Sequence, residues 1–431
     1  MKFKLRILLQ YLTIKYLRRF KNRESLQKYQ EKKIKKFLKF AVKNSKFYSI
    51  WFGNLKLHDY RKLPFLDKTV MMENFTALNT VGVNRENAFE IALRAESSRD
   101  FNPTLNGVTV GLSSGTSGNR GLFLVSDLER ARHAGTILAK VLPRSIFHFY
   151  RVAFFMRANS NLYTASQSSR LDFQFYDLLI PLTKHFERLN TNSPDLLFAP
   201  PSMLLQIARA QIAGNIAIAP IKIFSIAETL DPLDEKFISN AFQQSIHQVY
   251  QCTEGFLGVS CHEGTLHLNE DILQIEPYWL NIEKTKFMPI ITDFSRTTQP
   301  LIRYRLNDIL TIKLSPCPCG SPLLAIECIE GRADDIIFFS PEVPVFPDFI
   351  RRAIIQAHPF IQEYWVRQKK GGELLISIRC EEDKRNEIEI GVRKELKSLA
   401  DLLSAEAPTL SFTSEFIYHP EKKLRRVIRE F

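Results

Sequence analysis

No apolar run in this chain approaches the ~20 residues needed to cross a bilayer. Six cysteines in 431 residues are too few for a disulfide scaffold, so reduced thiols and a cytoplasmic setting are expected. No internal repeat or low-complexity tract is evident. The first residues, Met1 to Gln10, begin like a signal peptide. Gln10 and Lys15 break the apolar stretch, however, and no small-residue cleavage site precedes Arg18-Arg19, so export is not expected. What is present is ordinary globular composition, 45% hydrophobic and 24% charged, in a chain long enough for two or three domains.

A net charge of +13 suggests a nucleic-acid binder until the charge is located. Residues 1–46 carry 16 Lys and Arg against two Glu, so the remaining 385 residues sum to −1. The charge therefore describes a basic N-terminal helical segment, and a neutral body without a recognised module argues against nucleic acid. Glu31 to Lys43 reads as an amphipathic helix with Ile34, Phe37, Leu38 and Ala41 on one stripe. The first twenty residues align Leu5, Leu8, Leu9, Leu12 and Tyr16. Two readings stay open: both helices pack on the body, or the segment makes a peripheral contact with a membrane or an acidic partner.

From about residue 105, short apolar strands alternate with helices. Strands are expected at 107–112, 122–125, 221–226 and 246–250, and helices at 203–213 and 232–242, the mark of an α/β layer fold. After Gly331 a compact α+β unit begins, with helices at 347–357 and 386–403 and strands at 362–367, 373–379 and 411–417. The expected organisation is a basic segment at 1–46, a large multi-layer α/β domain at 47–331 and a small, mobile α+β domain at 332–431.

Between two strands lies Ser113-Ser114-Gly115-Thr116-Ser117-Gly118-Asn119-Arg120-Gly121. Its glycines let the backbone approach an anion, and its N–H and hydroxyl groups are donors for phosphate oxygens. It is not a Walker A loop, because no Gly-Lys-Ser/Thr follows and a strand comes next. Three further motifs follow in order: Tyr250-Gln251-Cys252-Thr253-Glu254-Gly255, Leu301-Ile302-Arg303-Tyr304-Arg305-Leu306-Asn307-Asp308, and Gly331-Arg332-Ala333-Asp334-Asp335.

This ordered set, over about residues 30 to 431, resembles the acyl-AMP-forming superfamily of acyl-CoA synthetases, peptide-synthetase adenylation domains and luciferases. Pro300-Leu301-Ile302-Arg303-Tyr304-Arg305, with Cys317-Pro318-Cys319-Gly320 ahead of Gly331-Arg332-Ala333-Asp334-Asp335, is similar to phenylacetate–CoA ligases, coenzyme F390 synthetase-like proteins and capsule-biosynthesis relatives. The resemblance implies ATP- and Mg²⁺-dependent activation of a carboxylic acid as its acyl-AMP. Transfer to the thiol of coenzyme A or an acyl carrier protein would follow. It implies that Ser113, Ser114, Gly115, Thr116, Ser117 and Gly118 hold the β- and γ-phosphates. Ala227 and Glu228 would line the adenine site, Tyr250 would lie against the base, Thr253 would touch the α-phosphate and Glu254 would hold Mg²⁺. Asp308 would accept the ribose hydroxyls, Arg332 would reach the ribose–phosphate region, and Asp334 would be the hinge of the small domain. Two departures stand out: Asn119-Arg120 replaces the usual Pro-Lys, and Asn307 replaces the glycine before the ribose aspartate.

The tail His419-Pro420-Glu421-Lys422-Lys423-Leu424-Arg425-Arg426 resembles the strand end whose lysine inserts into the adenylation site. That lysine aligns as Lys423, with Lys422 as the alternative. The residue types suit the chemistry, since a carboxylate attacking an ATP phosphate brings two anions together and positive charge must neutralise the approach. Cys261, His267, Cys317 and Cys319 form a candidate structural Zn²⁺ site, with His262 competing for the fourth place and reduced buried thiols as the alternative. Cys252, Cys328 and Cys380 are expected in the core, and Phe198, Ala199, Ala227, Phe256 and Leu257 near the acid. Competing functions are transfer of the acyl group to an amine, hydroxyl or sugar, and an inactive nucleotide-binding scaffold.

Overall fold

The computed structural model describes residues 2–100, 102–113, 120–158, 161–416, 418 and 423–431. Its main sheet has twelve strands. Five run parallel in the spatial order Leu171–Asp177, Tyr150–Met156, Leu196–Ala199, Lys222–Ile226 and Ile246–Cys252. Beyond Ile246–Cys252 the sheet turns antiparallel through Gly255–Ser260, Leu266–Leu268, Ala325–Arg332, Asp308–Ile312, Lys286–Asp293 and Gln274–Trp279, while Leu301–Arg305 pairs with Lys286–Asp293. Strand alternation feeds two cores. Val152 and Phe154 face the larger one, whereas Ala153 and Phe155 face a second built with Leu204 and Ile207 of the helix Pro201–Ile212. Parallel strands covered on both faces form the expected α/β layers.

Local chemistry sets the helix ends. The helix Pro232–Phe242 starts where the Asp231 carboxylate accepts from the Leu233 amide (3.0 Å) and Pro232 occupies the first turn. The helix Asp127–Val141 starts at a capping box between Ser126 and Glu129. Glu129 also receives the Thr298 amide (2.8 Å), tying the helix to the loop before residue 301.

From Ile337 onward the chain builds a third core, in which Ile350, Ile354, Ile388, Val392 and Leu396 of two helices pack on a four-stranded sheet. The strand expected at 411–417 ends at Thr413. Phe416 turns out of the ladder to meet Trp365 edge-on at 5.3 Å, and Ile417 lies outside the described residues.

The basic segment packs into the largest core. Its second helix begins at Arg23, eight residues before the expected start, because Asn22 and Ser25 form a capping box. Leu26, Ile34, Phe37, Leu38 and Ala41 are buried against the body, so this apolar stripe is not available to a membrane. In the first helix, Lys2–Leu12, the buried face is Ile7 and Tyr11 and not the expected leucines, and Leu5 and Leu9 are exposed. The reason is its crossing with the helix Asp127–Val141. The Tyr11 hydroxyl accepts from the Ile146 amide (3.2 Å), and the backbones close over Gly135, where a Cβ would stand 2.5 Å from the Ile7 carbonyl oxygen. Among the described residues, no helix is long and apolar enough to cross a membrane.

A side chain at that crossing must push the first helix off. Gly135→Val is expected to speed tryptic cleavage at Lys15, Arg18 and Arg19 at least tenfold, while the spectrum of the body stays unchanged. Cleavage at the wild-type rate would refute the crossing.

Candidate active site

The parallel strands end at one edge, where α/β sheets bind ligands. There the cleft is lined by Arg157 after Tyr150–Met156, Ala227 after Lys222–Ile226, and Cys252 and Thr253 at the end of Ile246–Cys252. Ala227 holds a left-handed φ of 65°, a conformation costly for a residue with a Cβ. It sends the chain abruptly to Glu228, whose side chain is 1% exposed and accepts from the Ser202 amide (3.3 Å) and Arg157 (3.4 Å).

Two carboxylates stand beside this cleft, Glu254 in the turn after Ile246–Cys252 and Asp308 at the start of the strand Asp308–Ile312. Glu254 is fixed through both oxygens, by the Thr253 hydroxyl (2.8 Å) and the Tyr304 hydroxyl (3.1 Å), while Arg296 donates to the Thr253 and Glu254 carbonyls (2.8 Å each). Asp308 accepts a 2.6 Å hydrogen bond from Tyr250 and stands opposite Arg332 in strand register. Burial raises the Asp308 pKa, against the lowering pull of the Tyr250 hydroxyl and the Arg332 and Lys423 charges. The same two carboxylates, with burial foremost, hold the Tyr250 hydroxyl and the Cys252 thiol protonated.

Lys423 arrives from the small α+β unit. Burial lowers its pKa, Arg332 lowers it further, and Asp308 and Glu228 oppose both. The three residues after it are each tied down. The Leu424 amide donates to Glu228 (3.1 Å), Arg425 pairs with Asp335 (2.7 Å), and Arg426 donates through Nη2 to both carboxylate oxygens of Asp234 (2.6 and 2.7 Å) and through Nη1 to Glu363 (2.9 Å). At the expected hinge, Asn307 donates to Asp334 (2.6 Å), which is what the departure from glycine contributes.

The structure thus gathers Ala227, Glu228, Tyr250, Thr253, Glu254, Asp308, Arg332 and Lys423 around one cleft. Ser114, Gly115, Thr116, Ser117 and Gly118, with Asn119 and the alternative Lys422, lie outside the described residues. Ser113 closes the base of their loop, its amide donating to the Gly121 carbonyl and its hydroxyl accepting from the Gly121 amide (2.8 and 2.7 Å).

Sequence reading missed two residues. Lys68, in the first turn of the helix Lys68–Glu73, places its ammonium 3.2 Å from the Ser113 hydroxyl and feels the Glu254 charge. It thereby brings an amine to the loop that lacks the usual lysine, where Arg120 is occupied by Glu96 (2.6 and 2.7 Å). No local pattern marks Lys68, 45 residues before the loop. His133 is the other, held neutral by burial with a pKa of about 4, beside Gln251 and edge-on to Phe256. Cys252, expected in the core, packs against the largest core and also lines the cleft.

An apolar cavity of about 110 Å³ opens off the cleft and shares Met156, Leu162, Ala227 and Gln251 with it. Phe154, Phe173, Phe198 and Val249 wall it, and no charged side chain enters. Of the residues expected near the acid, Phe198 and Ala227 line it and Phe256 lines the cleft. Ala199 and Leu257 are fully buried in the cores.

Cys261, His267, Cys317 and Cys319 converge with their donor atoms within 4.8 Å of one another. The Cys261 and Cys317 sulfurs are 3.7 Å apart, close to the ~3.8 Å edge of a tetrahedron with Zn–S bonds of about 2.3 Å. His267 offers Nε2, 3.3 Å from the Cys319 sulfur, because Nδ1 is engaged by the Leu323 carbonyl (3.0 Å). His262 is exposed and pairs with Glu263, which removes it as the fourth ligand. The donor set fits Zn²⁺, with no position left for substrate.

No protein-family model matches the chain. It is 31% identical over 145 residues to indoleacetate–lysine synthetase of Pseudomonas savastanoi, and 29% identical over 162 residues to CapK of Staphylococcus aureus. These stretches cover 32% and 36% of this chain and about a third (35%) of each relative. Among solved structures, 2-hydroxyisobutyryl-CoA ligase in the postadenylation state, in complex with 2-HIB-AMP, superposes with a TM-score of 0.70 at 16% identity, over 94% of this chain and 90% of the ligase. The same ligase in the thioesterification state gives 0.56 over the same shares of each chain. The chain has the fold of the adenylate-forming ligases.

Two outcomes follow from this geometry. A charge-assisted hydrogen bond is worth ~1.5–3 kcal/mol, so Lys68→Ala should raise the KM for ATP about 10- to 100-fold in an acid-dependent pyrophosphate exchange assay. Elemental analysis of protein purified without chelators should give about one zinc per chain, and Cys317→Ser should lose the metal and lower the Tm. Less than one zinc per ten molecules would refute the site.

Proposed function

We propose that this protein activates an apolar carboxylic acid, acyl or aryl, as its acyl-AMP, and then passes the acyl group to an acceptor, with coenzyme A as the leading candidate. The observation that carries the reading is Lys423, delivered by one unit into a cleft whose acids, Asp308 and Glu254, belong to the other. A cation standing among nucleotide-holding acids meets the electrostatic demand of a carboxylate attacking a phosphate.

In the first step a carboxylate oxygen of the acid bonds to the α-phosphorus of ATP, and the bond to pyrophosphate breaks. Lys423 offsets the charge gathered at that phosphorus, Thr253 stands beside it, and Asp308 fixes the ribose so that the nucleotide is already aligned. Glu254, clamped by two hydroxyls and with lone pairs to spare, would hold Mg²⁺, which supplies further charge neutralisation to the phosphates. The largely apolar, uncharged cavity beside Ala227 supports a hydrocarbon tail on the acid, because an unpaired charge there would be costly.

In the second step an acceptor nucleophile attacks the acyl carbon, AMP leaves, and the nucleophile's proton passes to solvent. Likeness to a lysine synthetase keeps an amine acceptor as the second reading.

Acid-dependent pyrophosphate exchange against a panel of aryl and fatty acids tests the first step, and product identification with coenzyme A, lysine or an amino sugar tests the second. An absence of exchange with every acid, together with no ATP binding, would leave only a scaffold. The pH profile carries its own check. Asp308 must be ionised, and its raised pKa moves the acid limb upward; Lys423 must be charged, and its lowered pKa moves the alkaline limb downward. The rate should therefore fall within a narrowed bell. Lys423→Arg should extend the alkaline limb, and Lys423→Ala should reduce exchange by about 10² to 10³.

A further inference from the structure

The main cavity, about 1200 Å³, exceeds the 300–1000 Å³ that encloses one ordinary ligand. It runs from Ala227, Thr253 and Lys423 to the basic N-terminal segment, which forms one of its walls. Together with the buried Phe37, the helix Arg23–Asn44 lines it with Tyr29, Lys33, Lys36 and Phe40. Their spacing of four, three and four is a helical stripe, adjacent to the buried one of Leu26, Ile34 and Leu38. This wall cannot swing away as a tail. Arg23 is bonded to Glu270, Gln30 donates to the Glu270 and Leu273 carbonyls (2.8 and 3.2 Å), and Arg18 donates to the Asp271 carbonyl (3.2 Å).

The rim carries uncompensated charge. Arg18 and Lys33 both lie 5.4 Å from the Tyr29 ring centroid, Lys36 is one turn on from Lys33, and Arg132 faces them from the helix Asp127–Val141. Among the described residues none of these four is in an ion pair, and the nearby Asp271 carboxylate is held by Lys140 (2.9 Å). Lys33 has a lowered pKa, through burial first and then repulsion from Arg18, Lys36 and Arg132. Elsewhere in the cavity Arg120 is spent on Glu96, Arg99 on Asp177 and Arg157 on Glu228, while Lys423 belongs to the adenylation cleft.

We infer that this rim binds the diphosphate of the acyl acceptor, a molecule whose nucleophile reaches the acyl-AMP while its nucleoside diphosphate rests on Arg18, Lys33, Lys36 and Arg132. Coenzyme A and a nucleoside-diphosphate amino sugar share that chemistry. The inference rests on the adenylation reading above. It adds that the basic segment is the acceptor's seat, with the Tyr29 ring as an aromatic surface between two of the cations.

The test uses the full chain as wild type, Lys33→Gln/Lys36→Gln and Arg132→Gln, none of which touches the adenylation residues. Coenzyme A is compared with pantetheine, and a nucleoside-diphosphate amino sugar with the free amino sugar, following AMP release; pyrophosphate exchange is measured in parallel. The variants should raise the KM of the productive diphosphate acceptor at least tenfold, leave kcat and exchange unchanged, and leave the phosphate-free analogues unaffected. An unchanged acceptor KM, or an equal loss with the phosphate-free analogue, overturns the inference. So does an equal loss in exchange, which would put the rim on the path of ATP or free pyrophosphate. If the wild type shows no exchange, the adenylation reading fails separately. Titration of coenzyme A and of the nucleotide sugar into AMP-saturated protein then decides the rim, with tenfold weaker binding by the variants sustaining it and equal or absent binding refuting it.

Discussion

The grip of Arg426 on Asp234 sets the geometry on which the rest of the molecule depends. Arg426 immediately precedes the last strand of the small sheet and Asp234 sits in the first turn of a helix on the large one, so this pair crosses between the two cores. Both side chains are 4% exposed, and neighbours complete a network: Glu363 takes a second bond from Arg426, and Tyr364 and Arg351 both reach Asp231 (2.6 and 3.1 Å). Burial raises the Asp234 pKa to about 6 even with Arg426 against it, a measure of what two charges lose when water is removed. Desolvation consumes most of the Coulombic gain in such pairs, so their contribution is geometric more than energetic, and breaking one side is what is costly. Three residues upstream of this clamp stands Lys423.

That spacing makes the cation's position a property of the whole interface. Leu424 and Arg425 are each bonded to the wall they pass, to Glu228 and to the hinge-adjacent Asp335. The ammonium is therefore held before any substrate arrives, which is what electrostatic preorganisation requires. The same bonds oppose rotation of the small unit. Any second step that needs the lysine withdrawn must first open the Arg426 network, leaving Asp234 and Glu363 without their cation. An acceptor that attacks with the unit in its present position avoids that cost.

Much of this was readable from residue order. The alternation of apolar strands with helices capped by Asp231-Pro232 and Ser126–Glu129 gives the α/β layers, because period and capping are local signals. Tyr250, Glu254, Asp308 and Lys423 lie in motifs whose order implied a shared cleft, and the structure gathers them there. Illegible were the positions set by long-range packing. Lys68 reaches Ser113 only because its helix abuts Gly121, where a Cβ would lie 3.0 Å from the lysine Cε. In the first helix two apolar stripes compete, and the choice between them falls to Gly135 and to the Ile146 amide that meets the Tyr11 hydroxyl, both more than a hundred residues away.

The N-terminal charge shows the same limit of local reading. Sixteen cations in 46 residues invite a single explanation, yet the fold divides them by what each one meets. Arg23 neutralises a Glu270 side chain that is 1% exposed, an obligation created by the body and not by the segment. Lys28 pairs with Glu24 on the solvent face, where such a bridge is worth a few tenths of a kcal/mol. Arg18, Lys33 and Lys36 belong to neither group, because they line a cavity wall and, among the described residues, form no ion pair. A cation held near others of its own sign, and partly out of water, raises the free energy of the empty protein. An anion entering that wall relieves the repulsion as it binds, so the cost carried by the empty fold returns as affinity for the ligand.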